Sequence, residues 1–91
     1  MNCIIIDDEK TARIIIKKLS SQVENLTVVD EFSNAIQAIK YLNENEVDLV
    51  FLDFHMPDFN GLDFLKTINK PLKIILTTSE PNFAIEAFEY D

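Results

Sequence analysis

Glycine occurs once in this chain, cysteine once, histidine once and proline three times, and the 8 lysines and arginines are outnumbered by 16 acids. Each scarcity excludes something. Cys3 has no partner for an internal disulfide, which fits a reducing cytoplasm and a small buried strand residue. With so little glycine and no Gly-, Ser- or Pro-rich stretch there is no linker, repeat or low-complexity segment, so residues 1–91 read as one compact domain. No apolar run approaches the roughly 18 residues a membrane helix needs. The start, MNCIIIDDEK, lacks a basic leader, and its short apolar stretch runs into two aspartates, so it does not read as a signal peptide. A net charge of −8 argues against direct nucleic-acid contact, which demands a cationic surface. The same excess fits a cation site, a basic protein partner, or solubility alone.

The 47% apolar content is that of an ordinary soluble globular protein, and it is laid out in two alternating periods. Cys3 to Ile6 is a short continuous apolar run, the pattern of a strand covered on both faces. Ala12, Ile15, Ile16, Leu19 and Val23 then recur at helical spacing, with Lys10, Arg13, Lys17 and Lys18 largely elsewhere on the wheel. Leu26 to Phe32 reads as a second strand. Ser33 is placed to cap a helix carrying Ile36, Ile39 and Leu42. Val47 to Leu52, interrupted only by Asp48, makes a third strand, and Leu62, Leu65 and Ile68 mark a third helix after Gly61. Leu72 to Leu76 is a fourth strand, and Pro81 opens a last helix through Ala84, Ala87 and Phe88. Four β-α units in succession imply a parallel sheet with helices on both faces and right-handed crossovers.

Such sheets bind ligands beyond the carboxyl ends of their strands. The residues at those ends are Asp7 and Asp8, Glu31 and Ser33, Asp53, and Thr77, Thr78 and Ser79. In the flavodoxin-like order 2-1-3-4 the first and third strands are neighbours, about 4.8 Å apart, which brings Asp7, Asp8 and Asp53 to one rim. Two unit charges about 4 Å apart repel by roughly 4 kcal/mol at an effective dielectric near 20. A hard divalent cation such as Mg2+, which accepts carboxylates, waters and phosphate oxygens, relieves that repulsion. A threonine hydroxyl one strand over, at Thr77 or Thr78, offers itself to an oxyanion held by the metal. Carboxylate, cation and hydroxyl together suit phosphoryl transfer to an aspartate. Taken singly, Asp8 is a possible helix cap, Asp53 a turn residue and the threonines strand formers. Together they favour the chemical reading.

At these residues the sequence resembles the receiver domain of two-component response regulators. The likeness covers essentially the whole chain and rests on IIIDDEK, DLVFLDFHMPDFNG and KIILTTSE. The ending TTSEPNFAIEAFEYD is similar to receivers that carry a LytTR-type DNA-binding output. The resemblance implies that Asp53 accepts phosphate from a sensor histidine kinase. It implies that Asp8 binds Mg2+ directly, Asp7 through water, and His55 through its backbone carbonyl. It gives the switch hydroxyl to Thr78, with Thr77 as neighbouring candidate, and it has Met56, Pro57 and Gly61 shape the loop after Asp53. Ser79 stands where many relatives have alanine.

Receivers also have a fifth strand and helix, with a lysine before that helix which pairs with the phosphoryl group. None of Lys66, Lys70 and Lys73 is placed to replace it, so the chain reads as a cytoplasmic receiver lacking its last β-α unit, with its output domain elsewhere. Two expectations follow from that reading. The fourth strand has an open edge that invites homodimerisation by pairing or element exchange, and Mg2+ binds while phosphorylation-driven switching is impaired. Ile14, among the basic residues of the first helix, is a candidate kinase contact. A phosphohydrolase of the haloacid dehalogenase type wants a second aspartate two residues after the nucleophile, where this chain has His55. The remaining alternative is a phosphorylation-independent interaction or dimerisation module.

Overall fold

The computed structural model describes residues 1–56, 59–60, 64, 66–68, 70–77 and 86–90. In chain order the elements are β1 (Asn2–Ile6), α1 (Lys10–Ser20), β2 (Thr27–Phe32), α2 (Ala35–Glu44), β3 (Leu49–Asp53), β4 (His55–Met56), β5 (Phe59–Asn60), β6 (Leu72–Thr77) and β7 (Glu86–Tyr90). The main sheet runs β2-β1-β3-β6-β7, and β4 pairs with β5 in a small antiparallel hairpin. Its first four strands are parallel, in the flavodoxin-like order 2-1-3-4 expected from the β-α alternation.

Alternation along the strands sends residues to two faces. Ile4, Ile6, Val50, Leu52, Leu72 and Ile74 pack with Ala35, Ala38 and Leu42 of α2 into the main core. Cys3 and Ile5, also fully buried, belong to the opposite face, where α1 lies against β1 and β2. The near-continuous apolar strands are thus explained by cover on both sides. Asp48, the break in the third apolar run, bonds reciprocally with Asn2: its Oδ2 accepts from the Asn2 N–H (2.8 Å), and its own N–H donates to the Asn2 carbonyl (2.9 Å).

Four details differ from the sequence pattern. The cap of α2 is Asn34, not Ser33; its side chain accepts from the Gln37 N–H at 3.0 Å. Ile36 is 75% exposed, because the alanines and Leu42 turn the sheet-facing stripe away from it. In α1 the helix buries Ser20 instead, leaving Ile15 at 52% and Leu19 at 56% exposure, with Val23 beyond it also open. Finally, Ala87 and Phe88, expected in a last helix, lie instead in the strand of residues 86–90, while Pro81 and Ala84 of that expected helix lie outside the described residues. Residues 86–90 pair antiparallel with β6 as β7, so the edge expected to invite a second copy is covered within the chain. An open edge offers a row of unpaired N–H and C=O groups, and the backbone of residues 86–90 satisfies them by pairing antiparallel along Leu72–Leu76. Of the third helix, Phe64, Lys66 and Thr67 are helical and the Ile68 N–H donates to the Phe64 carbonyl (3.2 Å), while Leu62 and Leu65 lie outside the described residues. Phe64 is fully buried in the main core.

Candidate functional site: an acid cluster at the sheet rim

The pairing of β1 with β3 sets Ile6 beside Leu52, so the next residue on each strand, Asp7 and Asp53, emerges side by side at the carboxyl rim. Asp8 follows from the β1–α1 loop. One carboxylate oxygen from each of Asp7, Asp8 and Asp53 lies within 4.8 Å of the others. Asp7 and Asp53 are each only 5% exposed, whereas Asp8 faces solvent. The cap position of α1 is Glu9 with no side-chain cap bond, so Asp8 is not spent on capping.

Burial pushes the Asp7 carboxyl above its ordinary value, and the nearby charges of Asp8 and Glu9 push the same way. The Glu9 N–H, which donates to Asp7 Oδ1 at 2.9 Å, and a hydrogen bond with Asp53 partly offset this. The backbone of Asp7 is held on both sides. Its N–H donates to the Phe32 carbonyl (3.0 Å), and its carbonyl accepts from Arg13 Nη1 (2.7 Å).

Across the rim, Thr77 ends β6 as the register partner of Asp53, and paired residues of a parallel sheet share a face. Thr77 is 8% exposed, and its Oγ1 is a buried hydroxyl with no hydrogen-bond partner among the described residues. The Phe54 N–H donates to the Thr77 carbonyl at 2.9 Å, tying the residue after Asp53 to the end of β6. His55 sits in β4, and Met56 is buried. Thr78, Ser79, Pro57 and Gly61 lie outside the described residues.

The sequence pattern gave no warning of Arg13, which it assigned to the solvated side of α1. Its spacing from Asp7, six residues on and one helical turn into α1, is the signal that was available. Lys70 serves the fold away from the rim, where its Nζ donates to the Leu42 carbonyl (2.6 Å) near the end of α2. Among the described residues no helix is long and apolar enough to cross a membrane.

A parallel α/β sheet of order 2-1-3-4 with hard oxygen donors across the ends of its first and third strands defines the flavodoxin-like class, and the donor set suits a divalent cation. The chain belongs to the response regulator receiver domain family, whose model matches residues 3–91. Receiver domains are signalling modules of two-component systems, and they bind Mg2+ at an acidic pocket. Among similar proteins, the sensory transduction protein LytR of Staphylococcus haemolyticus is 36% identical over all of this chain and 37% of its own length. An uncharacterized response regulatory protein of Vibrio cholerae is 31% identical over 98% of this chain and 38% of its own. Among solved structures, the response regulator domain of Thermotoga maritima CheB superposes with a TM-score of 0.77 at 25% identity, covering 92% of this chain and 66% of that one. RcsB from Salmonella enterica serovar Typhimurium, bound to promoter rprA in the presence of the phosphomimetic BeF3-, gives 0.75 at 29% identity over 90% of this chain and 72% of its own. The chain spans less than two fifths of the length of the curated relatives it matches.

Proposed function

We propose that the chain accepts a phosphoryl group on Asp53 from a sensor histidine kinase in the cytoplasm and relays that event to an output domain. In this reading Mg2+ is held by Asp8 and Asp53 directly, by Asp7 through water and by the His55 backbone carbonyl. One observation carries the reading: three carboxylates from two strand ends and a loop converge within 4.8 Å, two of them buried. Holding like charges so close costs roughly 4 kcal/mol per pair at about 4 Å and an effective dielectric near 20, which a purely structural cluster has no reason to bear.

Held by these residues, Mg2+ would supply positive charge to offset the carboxylates and the oxygens of a transferring phosphoryl group. A carboxylate oxygen of Asp53 attacks the phosphorus of the kinase phosphohistidine; the new O–P bond forms as the P–N bond breaks, and the imidazole leaves and takes up a proton. Thr78 is the switch hydroxyl implied by the family resemblance. Thr77 supports it, since its buried and unpartnered Oγ1 beside Asp53 suits a phosphoryl oxygen as acceptor. The output is a DNA-binding domain of the LytTR type, supported by the likeness to sensory transduction proteins LytR and LytT. A phosphorylation-independent interaction module draws on the open apolar side of α1 at Ile15 and Leu19, but it leaves the acid cluster unexplained.

Incubation with acetyl phosphate and Mg2+, followed by intact-mass measurement, tests the reading. One phosphoryl group is expected on the wild type and none on Asp53→Asn or after chelation. Label on the Asp53→Asn chain refutes Asp53 as acceptor.

A further inference from the structure

We propose that Arg13 is a positioning residue for the acid cluster, orienting the Asp7–Asp8 backbone through a clasp that Glu31 completes; the inference rests on the cation-binding reading of that cluster. Asp7 lies just past the end of β1, where one ladder-like bond to β2 remains on its N–H side, so its carbonyl side must be fixed by another group for the carboxylates of residues 7 and 8 to meet Asp53. The clasp is a closed ring of contacts. The Asp7 N–H donates to the Phe32 carbonyl (3.0 Å), and next to Phe32 stands Glu31, whose Oε1 accepts from Arg13 Nε (3.1 Å). Arg13 Nη1 then returns to the Asp7 carbonyl (2.7 Å), and the Arg13 backbone N–H donates to the carbonyl of Glu9 (3.2 Å).

Two features make the ring possible, one of the sheet and one of the side chain. Between Cys3 and Ile4 the β1–β2 register shifts, as at a β-bulge: Cys3 pairs with Val28 but Ile4 with Asp30. The extra residue sets Glu31 beside Ile5, on the α1 face, and Phe32 beside Ile6, on the core face. Without it Asp30 would stand beside Ile5. The second feature is the guanidinium, a planar fork that can serve a carboxylate and a carbonyl at once, which a lysine ammonium on a flexible stem does not reproduce. The Arg13 side chain is 14% exposed, so these bonds are little diluted by water. Lys17 also reaches Glu31 (3.0 Å to Oε2), but its side chain is 60% exposed and it has no bond to Asp7.

Charge alone and positioning predict opposite signs, which makes the role measurable. Arg13 is a cation near a cation site, so by Coulomb's law its removal tightens Mg2+ binding. A positioning residue does the reverse: loss of a group that orients metal ligands costs roughly tenfold in affinity or more.

The test is Mg2+ titration of the whole chain, by calorimetry and by the amide shifts of Asp7 and Asp8, alongside thermal melts. Arg13→Met and Arg13→Lys are both expected to weaken Mg2+ roughly tenfold, the lysine because it keeps the charge but not the fork. Lys17→Met, which removes the same charge and a bond to the same glutamate, is expected to leave affinity within about twofold. If Arg13→Met fails to fold, Arg13→Lys decides. Arg13 variants that bind Mg2+ as tightly as the wild type, or that melt earlier with unchanged affinity, overturn the clasp while leaving the cation site standing. A wild type that binds no Mg2+ overturns both.

Discussion

Asp7 and Asp53 share a buried rim with an exposed third carboxylate, Asp8, and the residue-scale consequences follow from that crowding. Asp8→Asn removes one charge without emptying the core. It is expected to raise the melting temperature of the Mg2+-free protein by several degrees, about 1 kcal/mol being worth some 4–8 °C in a domain of this size. The same variant is expected to lose most of the stabilisation Mg2+ gives the wild type, so melts with and without the ion check both halves. Burial raises the Asp7 carboxyl above 3.8, so folding takes up a proton there. The penalty is absent below the ordinary value and fully present above the raised one. Without Mg2+, the wild type therefore loses stability relative to Asp7→Asn as pH climbs from about 3.8 through the raised value, as melts across pH would record. Glu31 has the opposite sign. Its bonds to Lys17 and Arg13 hold its carboxyl below 4.5, so their contribution is present above that value and fades as pH falls through the lowered one. At neutral pH Glu31→Gln is expected to cost about 0.5–1 kcal/mol, the range of partly exposed ion pairs, with the difference vanishing in acid.

At the scale of elements, β1, β3 and β6 were legible because continuous apolar runs bounded by polar residues leave little choice of structure. The acid cluster was legible too, since strand ends at Asp7 and Asp53 follow once the strand order is known. Helix faces were harder. The 3.6-residue period locates a helix but not its rotation when apolar residues surround it. Ile14, Ile15 and Leu19 cover a wide arc of α1, and the anchor of Arg13 and Lys17 on Glu31 helps select the arc that turns to the sheet. Residues 86–90 misled for a different reason: their spacing fits a helix locally, and only the open flank of β6 decides for a strand. The bulge that aims Glu31 at α1 has no local signature in TVVDEF at all. The buried and open faces make a contrast that denaturant unfolding checks. Leu42→Ala, on the sheet-facing side of α2, is expected to cost about 2–5 kcal/mol. Leu19→Ala, on the open side of α1, is expected to change stability by no more than about 0.5 kcal/mol.

For the molecule as a whole, the sheet is a frame that brings distant parts of the chain to one rim: residues 7 and 8 from its start, 53 from its middle and 77 from β6. If that rim holds the cation as proposed, its binding and folding are linked, because only the folded sheet assembles the ligands. At a Mg2+ concentration a hundred times its Kd the native state gains about 2.7 kcal/mol. The most direct measurement is an amide spectrum recorded during titration with paramagnetic Mn2+, a hard cation of the same oxygen-ligand preference. Broadening is predicted to begin at residues 7–9 and 53–55 and to be reversed by excess Mg2+. Broadening that starts elsewhere, or spreads evenly over the acidic surface, would contradict the assignment of this rim as the cation site.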